Sequence, residues 1–209
     1  MHNESSCNMR QGIIIVSVHM KPYQKIEHEL GQQQLSWWDR LVQVIPELTD
    51  LSGTPQPRKY HAEGDVAEHT RLAIKGCPSD GDPDLVWAAL LHDIGKPLVT
   101  KDEGDRISSH GHQVIGAEIA EKILKRLDMP AERRERIVWA IRHHTFHLSW
   151  NLQSPKDASK RHKRLVADPN FPLLLELLRV DSAASLGIPR GMKAYKLYKR
   201  LREMVEAGD

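Results

Sequence analysis

An all-α fold is predicted, on three observations. Apolar residues recur three, four and seven apart in stretch after stretch between Ser36 and Val205, which is the spacing of a helix face. No βαβ alternation and no glycine-rich phosphate loop interrupts that pattern. The only strand-like run, Gly12 to Met20 (GIIIVSVHM), has no evident partner strand.

Residues 1–12 are polar, and residues 1–35 together read as a short, poorly defined N-terminal extension to a domain spanning 36–209. From Ser36, Trp37, Leu41, Val44 and Ile45 repeat at helical spacing, and Pro46, Pro55 and Pro57 punctuate the next segment. Asp65 stands ahead of a helix carrying Val66, Leu72 and Ala73, which Gly76 and Pro78 end. Asp84 to Ile94 is apolar nearly all round, the mark of a buried helix, and Gly95 stops it. A polar loop is expected from Thr100 to Gly111. Ile115, Ile119, Ile123 and Leu127 then form an amphipathic stripe, with Glu118, Lys122, Lys125 and Arg126 off it. Pro130 restarts the chain into Ile137, Val138, Ala140 and Ile141. Residues 154–164 are polar and basic, Phe171 to Ala184 is another apolar helix, and Tyr195 to Val205 forms the last.

A chain of 209 residues can bury one core without staples. Its 40% apolar and 28% charged content is that of a folded globular protein rather than a disordered one. Lys+Arg 30 against Asp+Glu 28 leaves +2, so net charge does not point to wholesale polyanion binding. Two cysteines form no disulfide framework and no thiolate metal knuckle, and no apolar run approaches the ~20 residues of a membrane span. A cytoplasmic protein without a membrane partner is expected.

Histidine is the outlier: there are 12, and six of them lie between His92 and His147. The informative ones sit on apolar faces. His69 falls three after Val66 and three before Leu72. His92 and Asp93 close the buried helix, following Ala88, Ala89 and Leu90. His112 precedes Ile115 and Ile119 by three and seven, and His144 follows Ile141 and Ala140 by three and four. Asp181 follows Leu178 and Leu177 in the same way. His143 competes with His144 on a mixed face. Any one such histidine is more often a hydrogen-bonded core residue than a ligand. Burying two carboxylates beside four imidazoles is costly unless cations sit among them. This donor set suits one or two ions of Mn, Ni, Co, Fe or Zn, with Mg also possible, and the lack of thiolates favours a catalytic over a structural site. His2, His19, His28, His147 and His162 read as solvated or incidental.

These residues resemble the HD-domain metal-dependent phosphohydrolases: His69 in GDVAEHT, His92-Asp93 in AALLHDIGKP and Asp181 in LLRVDSAAS follow that family's H…HD…D order. His112 in SHGHQVIGAE and His144 in IRHHT look like the extra histidines of two-metal members. The resemblance covers about residues 45 to 186 and is strongest to the HD domain of bacterial tRNA CCA-adding enzymes and RNA-end-repair proteins. No GS-type nucleotidyltransferase motif or DxD stands before residue 60, so nucleotide addition is not implied.

The resemblance implies one ion on His69, His92, Asp93 and Asp181, and a second on His112, His144 and a shared Asp93. Two such ions, ~4 Å apart, would serve hydrolysis of a phosphoester. Asp93 and Lys96 are the expected catalytic groups, Lys96 as a cation beside the phosphate; His110 is a third, as a proton donor. His61, Arg142 and His143 are expected substrate contacts. The basic groups Lys156, Lys160, Arg161, Lys163 and Arg164, and Lys193, Lys196, Lys199, Arg200 and Arg202, suit an RNA backbone, although a solvated helix face explains each set alone. The expected substrate is a phosphomonoester or 2′,3′-cyclic phosphate on a nucleotide or RNA 3′ end. Two alternatives stay open: a nucleotidase or phosphodiesterase for free nucleotides or cyclic dinucleotides, and a non-catalytic HD-fold regulator.

Overall fold

The computed structural model describes residues 20–32, 36–149, 152–187 and 191–208. The Gly12–Met20 strand expectation lies almost wholly outside them. The first described helix, α1 (Pro22–Gln32), falls within the segment read as an extension, yet buries Tyr23, Ile26 and Leu30 in the main core. A polar clamp holds it there. Glu27 Oε1 accepts from Trp87 Nε1 at 2.9 Å and from Arg133 Nη2 at 2.6 Å.

Helix α2 (Trp37–Val44) buries Trp37, Trp38 and Leu41 and leaves Val44 exposed, so the core-facing stripe is narrower than the apolar spacing suggested. A 3₁₀ turn over Pro46–Leu51 leads into α3 (Val66–Lys75). Asp65 caps α3 as expected: its carboxylate accepts from the Glu68 amide at 2.9 Å, satisfying a donor that has no intrahelical partner. Helix α4 (Pro83–Leu91) starts on an Asp82 cap and is buried nearly all round through Leu85, Trp87, Ala88, Ala89, Leu90 and Leu91. Its one deep carboxylate, Asp84, is paired with Arg133 Nε at 2.7 Å and Arg136 Nη1 at 2.6 Å.

The chain then turns through His92–Gly95 into the single turn α5 (Lys96–Val99). The expected polar loop contains a minimal antiparallel hairpin, β1 (Lys101–Asp102) and β2 (Ile107–Ser108), paired Lys101 to Ser108 and Asp102 to Ile107. Its turn is set by Asp102 Oδ1 accepting from the Gly104 amide at 2.9 Å, with Gly104 at φ +83°. No hydrophobic alternation announces strands this short.

Helix α6 (His112–Arg126) packs chiefly on α7 (Ala131–His143). The buried face of α6 is Gly116, Ala117, Ala120, Ile123 and Leu124, with Ile115 and Ile119 only half-buried on its flank. Small residues win the centre because α6 approaches its neighbours closely. The turn α8 (Phe146–Ser149) and helix α9 (Lys160–Val166) come next. His162, expected to be incidental, is part of the N-terminal capping box of α9 with Ser159.

Helix α10 (Phe171–Ala184) is the axle of the molecule and packs on α3, α4, α7 and α11 (Gly191–Ala207). Leu173, Leu177, Val180 and Ala184 enter the main core, built with α1–α4, α6 and α7. Leu174, Leu175 and Leu178 enter a second cluster with Phe146, Leu165, Val166, Phe171, Tyr198 and Leu201. Truncating fully buried Leu177 to Ala would cost ~2–5 kcal/mol, from lost transfer energy and the cavity left behind.

Candidate metal centre

Five elements converge where the two halves of the bundle meet. His69 projects from the first turns of α3. His92 and Asp93 lie in the turn after α4. His112 opens α6, His144 immediately follows α7, and Asp181 comes from the last turn of α10. One glycine explains why His112 can stand beside Asp93. A Cβ on Gly95 would lie 2.3 Å from the His112 carbonyl oxygen and 2.6 Å from the Gly116 nitrogen. Only a residue without a side chain lets the turn meet α6 backbone to backbone.

The six predicted ligands form two triads. His69 Nε2 is 2.9 Å from Asp181 Oδ1 and 3.3 Å from His92 Nε2, with His92 Nε2 3.8 Å from the same Asp181 oxygen. His112 Nε2 is 3.0 Å from His144 Nε2, and Asp93 Oδ1 lies 3.3 Å from the former and 3.7 Å from the latter. Asp93 joins the two. Its Oδ2 faces the first triad, 3.3 Å from His92 Nε2 and 3.9 Å from His69 Nε2.

Each imidazole is turned inward by its other nitrogen. Nδ1 of His92 donates to the Ala89 carbonyl at 2.9 Å, Nδ1 of His112 to the Ser109 carbonyl at 2.7 Å, and Nδ1 of His144 to the Ile141 carbonyl at 2.7 Å. A carbonyl only accepts, so these rings carry their proton on Nδ1 and present Nε2 to the centre. His69 Nδ1 instead meets Glu63 Oε1 at 2.8 Å.

The charges favour a cation. Burial opposes the charged form of Asp93, but the fields of His92 and Lys96 and the hydrogen bonds of His112 and His144 hold its carboxyl well below the usual range. Burial also opposes ionisation of Asp181, and its bond to His69 outweighs that, again lowering it. Burial disfavours a charged His69, but the bonds to Asp181 and Glu63 outweigh it and raise the ring to about 9. Burial pushes His144 down to about 4, so it is neutral near pH 7. The Nε2 atoms of His112 and His144, both rings holding their proton on Nδ1, face each other at 3.0 Å beside an ionised carboxylate, and are poor partners for one another and good ligands for a divalent ion. Asp93 Oδ2 is moreover buried without a well-formed hydrogen bond. The residues present therefore fit a divalent metal, and one or two ions can be accommodated by the triads.

Beside the triads lies a cavity of about 220 Å³, lined among others by Tyr60, His61, Lys96, His147, Ser182 and Ser185. Lys96, buried, is 2.6 Å from Asp93 Oδ2 and donates to Gln56 Oε1 at 2.6 Å. His61 lines the cavity. His147, read as incidental, lines it too, and burial pushes its pKa down. His143 is not brought to the centre: its Nδ1 donates to the Trp139 carbonyl and its ring lies on the Trp139 indole at 4.4 Å. One residue further round, His144 takes the inward position. Arg142 is exposed, and His110 is exposed in the turn before α6; neither is among the residues lining the cavity. The two basic clusters lie on α9 and α11, which pack on each other, save Lys156, which is in the 3₁₀ turn before α9; Lys160, Arg161, Lys163, Arg164, Lys193, Lys196, Lys199 and Arg200 are exposed on the two helices.

Sequence reasoning missed Glu63, Gln56 and His147. Glu63 and Gln56 sit in the irregular segment 52–65, where no periodicity assigns a face. His147 comes after the end of α7, and the helical register that oriented His144 does not extend to it.

Known proteins are similar to this chain over half of its length or more. A family model described as HD domain matches residues 64–179. The Multifunctional CCA protein of Alkalilimnicola ehrlichii is 39% identical over 105 residues, which is 50% of this chain and 25% of that protein. The protein of the same name from Teredinibacter turnerae is 37% identical over 106 residues, with the same shares. The A-adding tRNA nucleotidyltransferase of Deinococcus radiodurans is 33% identical over 149 residues, 69% of this chain and 33% of that protein. The chain thus spans about a quarter to a third of the length of these curated relatives. With its helical architecture and the family match in agreement, the chain belongs to the HD-domain family of metal-dependent phosphohydrolases.

Proposed function

We propose that the protein is a two-metal phosphohydrolase acting on phosphomonoesters or 2′,3′-cyclic phosphates of nucleotides or RNA 3′ ends. The observation that carries the reading is the pair of triads joined by Asp93, whose two carboxylate oxygens face opposite sides. His69, His92 and Asp181 would hold one ion, His112 and His144 the other, with Asp93 shared. Bound divalent ions supply Lewis acidity toward phosphoryl oxygens and lower the pKa of water. The chain's own groups do the rest. Lys96 offers a buried cation at the cavity wall, where negative charge grows on the phosphate. His61, His147, Ser182 and Ser185 offer hydrogen bonds to the substrate from the same walls. The unit 36–209 carries every group named, and α1 braces it.

What favours a nucleotide or RNA end is the character of the relatives, CCA proteins and a tRNA nucleotidyltransferase by name, together with the exposed cations of α9 and α11. Among the described residues no helix is long and apolar enough to cross a membrane.

The test is a substrate panel with Mn, Ni, Co and Mg, using Asp93→Asn as the dead control. Hydrolysis of 2′,3′-cyclic or 3′-phosphate RNA ends should fall with ionic strength more steeply than hydrolysis of a mononucleotide. Reversing the charges of Lys160, Arg161, Lys163 and Arg164 should impair RNA turnover and spare a small chromogenic phosphodiester. Brisk turnover of free nucleotides or cyclic dinucleotides with RNA ends untouched would replace this reading with that of a nucleotidase. No turnover of any phosphoester in the metal-loaded protein would favour a regulator.

A further inference from the structure

Among the ligand imidazoles, His69 alone has a carboxylate rather than a backbone carbonyl on Nδ1, and that carboxylate serves more than one partner. Glu63 is buried, with a side chain 1% exposed. Its Oε1 accepts from His69 Nδ1 at 2.8 Å and from His61 Nδ1 at 2.8 Å. Its Oε2 accepts from the Leu186 backbone amide at 2.9 Å. The two rings it holds stand edge to face, 4.9 Å apart. One residue beyond Leu186, the Gly187 amide donates to the Tyr60 carbonyl at 3.1 Å. The carboxylate therefore ties together three pieces of the site: a metal-facing ring on α3, a cavity-facing ring on the segment before it, and the chain leaving α10 just after Asp181.

We propose that Glu63 is a positioning residue that fixes the Nδ1 proton of both His69 and His61, so that Nε2 of His69 is committed to the ion and Nε2 of His61 to the substrate cavity. This rests on the two-metal reading above. An ionised carboxylate is an acceptor only, so each ring must bring a proton on Nδ1. When an ion takes Nε2 of His69, the proton displaced is the one facing Asp181, and the one facing Glu63 stays. The negative charge behind the ring also raises its strength as a ligand. The same three residues, His61, Glu63 and His69, lie close enough together to be weighed as a chelating group themselves. That use would require His69 to coordinate through both nitrogens at once, and the 2.8 Å separations are those of hydrogen bonds.

The test is metal binding by Glu63→Gln, which keeps the size and the acceptor oxygen and removes the charge. In competition titrations with Mn and with Co, the wild type should take two ions per chain. Glu63→Gln should weaken one of the two by about 10–100-fold, the range for losing a partner behind a ligand imidazole, and leave the other within about threefold. A second readout is independent of activity and of metal. In ¹⁵N-labelled protein without metal, the Nδ1 protons of His61 and His69 should resonate far downfield, and both should move upfield together in Glu63→Gln. A merely structural role would lower thermal stability without selecting one ion. Unchanged affinity for both ions in a folded Glu63→Gln, or His61 and His69 signals that do not shift, overturns the assignment. A third ion lost in the variant assigns the cluster to chelation instead. A wild type that binds no ion refutes the two-metal reading, and the proton shifts then show separately whether Glu63 still orders the rings.

Discussion

Lys96 Nζ lies 2.6 Å from Asp93 Oδ2, the oxygen that faces the first triad, and both side chains are buried. In the absence of an ion, the ammonium supplies the positive charge that this carboxylate needs. An ion held by Asp93 would compete with it directly, and would leave Lys96 to the cavity it lines. The two demands on Lys96 are opposed.

Lys96→Met should therefore separate binding from catalysis. Metal affinity should rise, since a competing cation is gone, while kcat should fall by about 10²–10³-fold, the cost of losing one donor aimed at developing charge. Titration and steady-state kinetics on one preparation check both. Weaker metal binding in a folded Lys96→Met protein would show that the ammonium supports the ions rather than competing with them.

Protons should leave as the metal arrives. His69 is raised to about 9 by Asp181 and Glu63 against the opposing effect of burial, so in the metal-free protein it is charged at pH 8. An unperturbed histidine, near 6.5, is mostly neutral there. Binding heats at pH 8 should consequently depend on the ionisation enthalpy of the buffer, and the dependence should vanish in His69→Ala. Because the folded pKa is raised, the stability this charge contributes is fully present below ~6.5 and is lost as pH climbs through about 9. The melting temperature of the metal-free protein should carry that loss, and the loaded protein should not. Buffer-independent heats at pH 8 would contradict the charge state.

Cys77 should be chemically quiet. Burial pushes its thiol up to about 12, with a smaller opposing pull from Arg179. Its Sγ points to the Ala73 carbonyl at 3.5 Å. At pH 8 the thiolate fraction would be only about one part in ten thousand. In a Cys7→Ser background, alkylation of the native protein should run at least about 100-fold slower than that of the denatured chain. Comparable rates would mean that the thiol is open to solvent.

Where a periodic helix carries a residue, its position was legible. Phe171–Ala184 is one helix as read, and it places Asp181 on the face that Leu177 and Leu178 imply. His69, His92, Asp93, His112 and His144 converge for the same reason: apolar neighbours three and four away fix which way a side chain points. Legibility ends where register ends. His110, two residues before His112, is separated from it by Gly111 in the left-handed region at φ +83°, so the helical face cannot be projected back to it. Arg142 shares a helix with the approach to His144, but two residues of helical rotation carry it to the solvent face. Glu63 was invisible because its role depends on three partners distant in fold or irregular in backbone. Leu186, 123 positions away, is one of them. The packing of α1 on the core was likewise hidden, since Glu27 finds Trp87 and Arg133 only once α4 and α7 are assembled.

The proposed chemistry rests on two divalent ions that share Asp93. Anomalous diffraction from Mn-loaded crystals tests it most directly. Two peaks ~4 Å apart are expected, one among His69, His92 and Asp181, the other beside His112 and His144, with Asp93 between them. A cluster without any peak, or a peak bound elsewhere with Asp93 still held by Lys96, would contradict it.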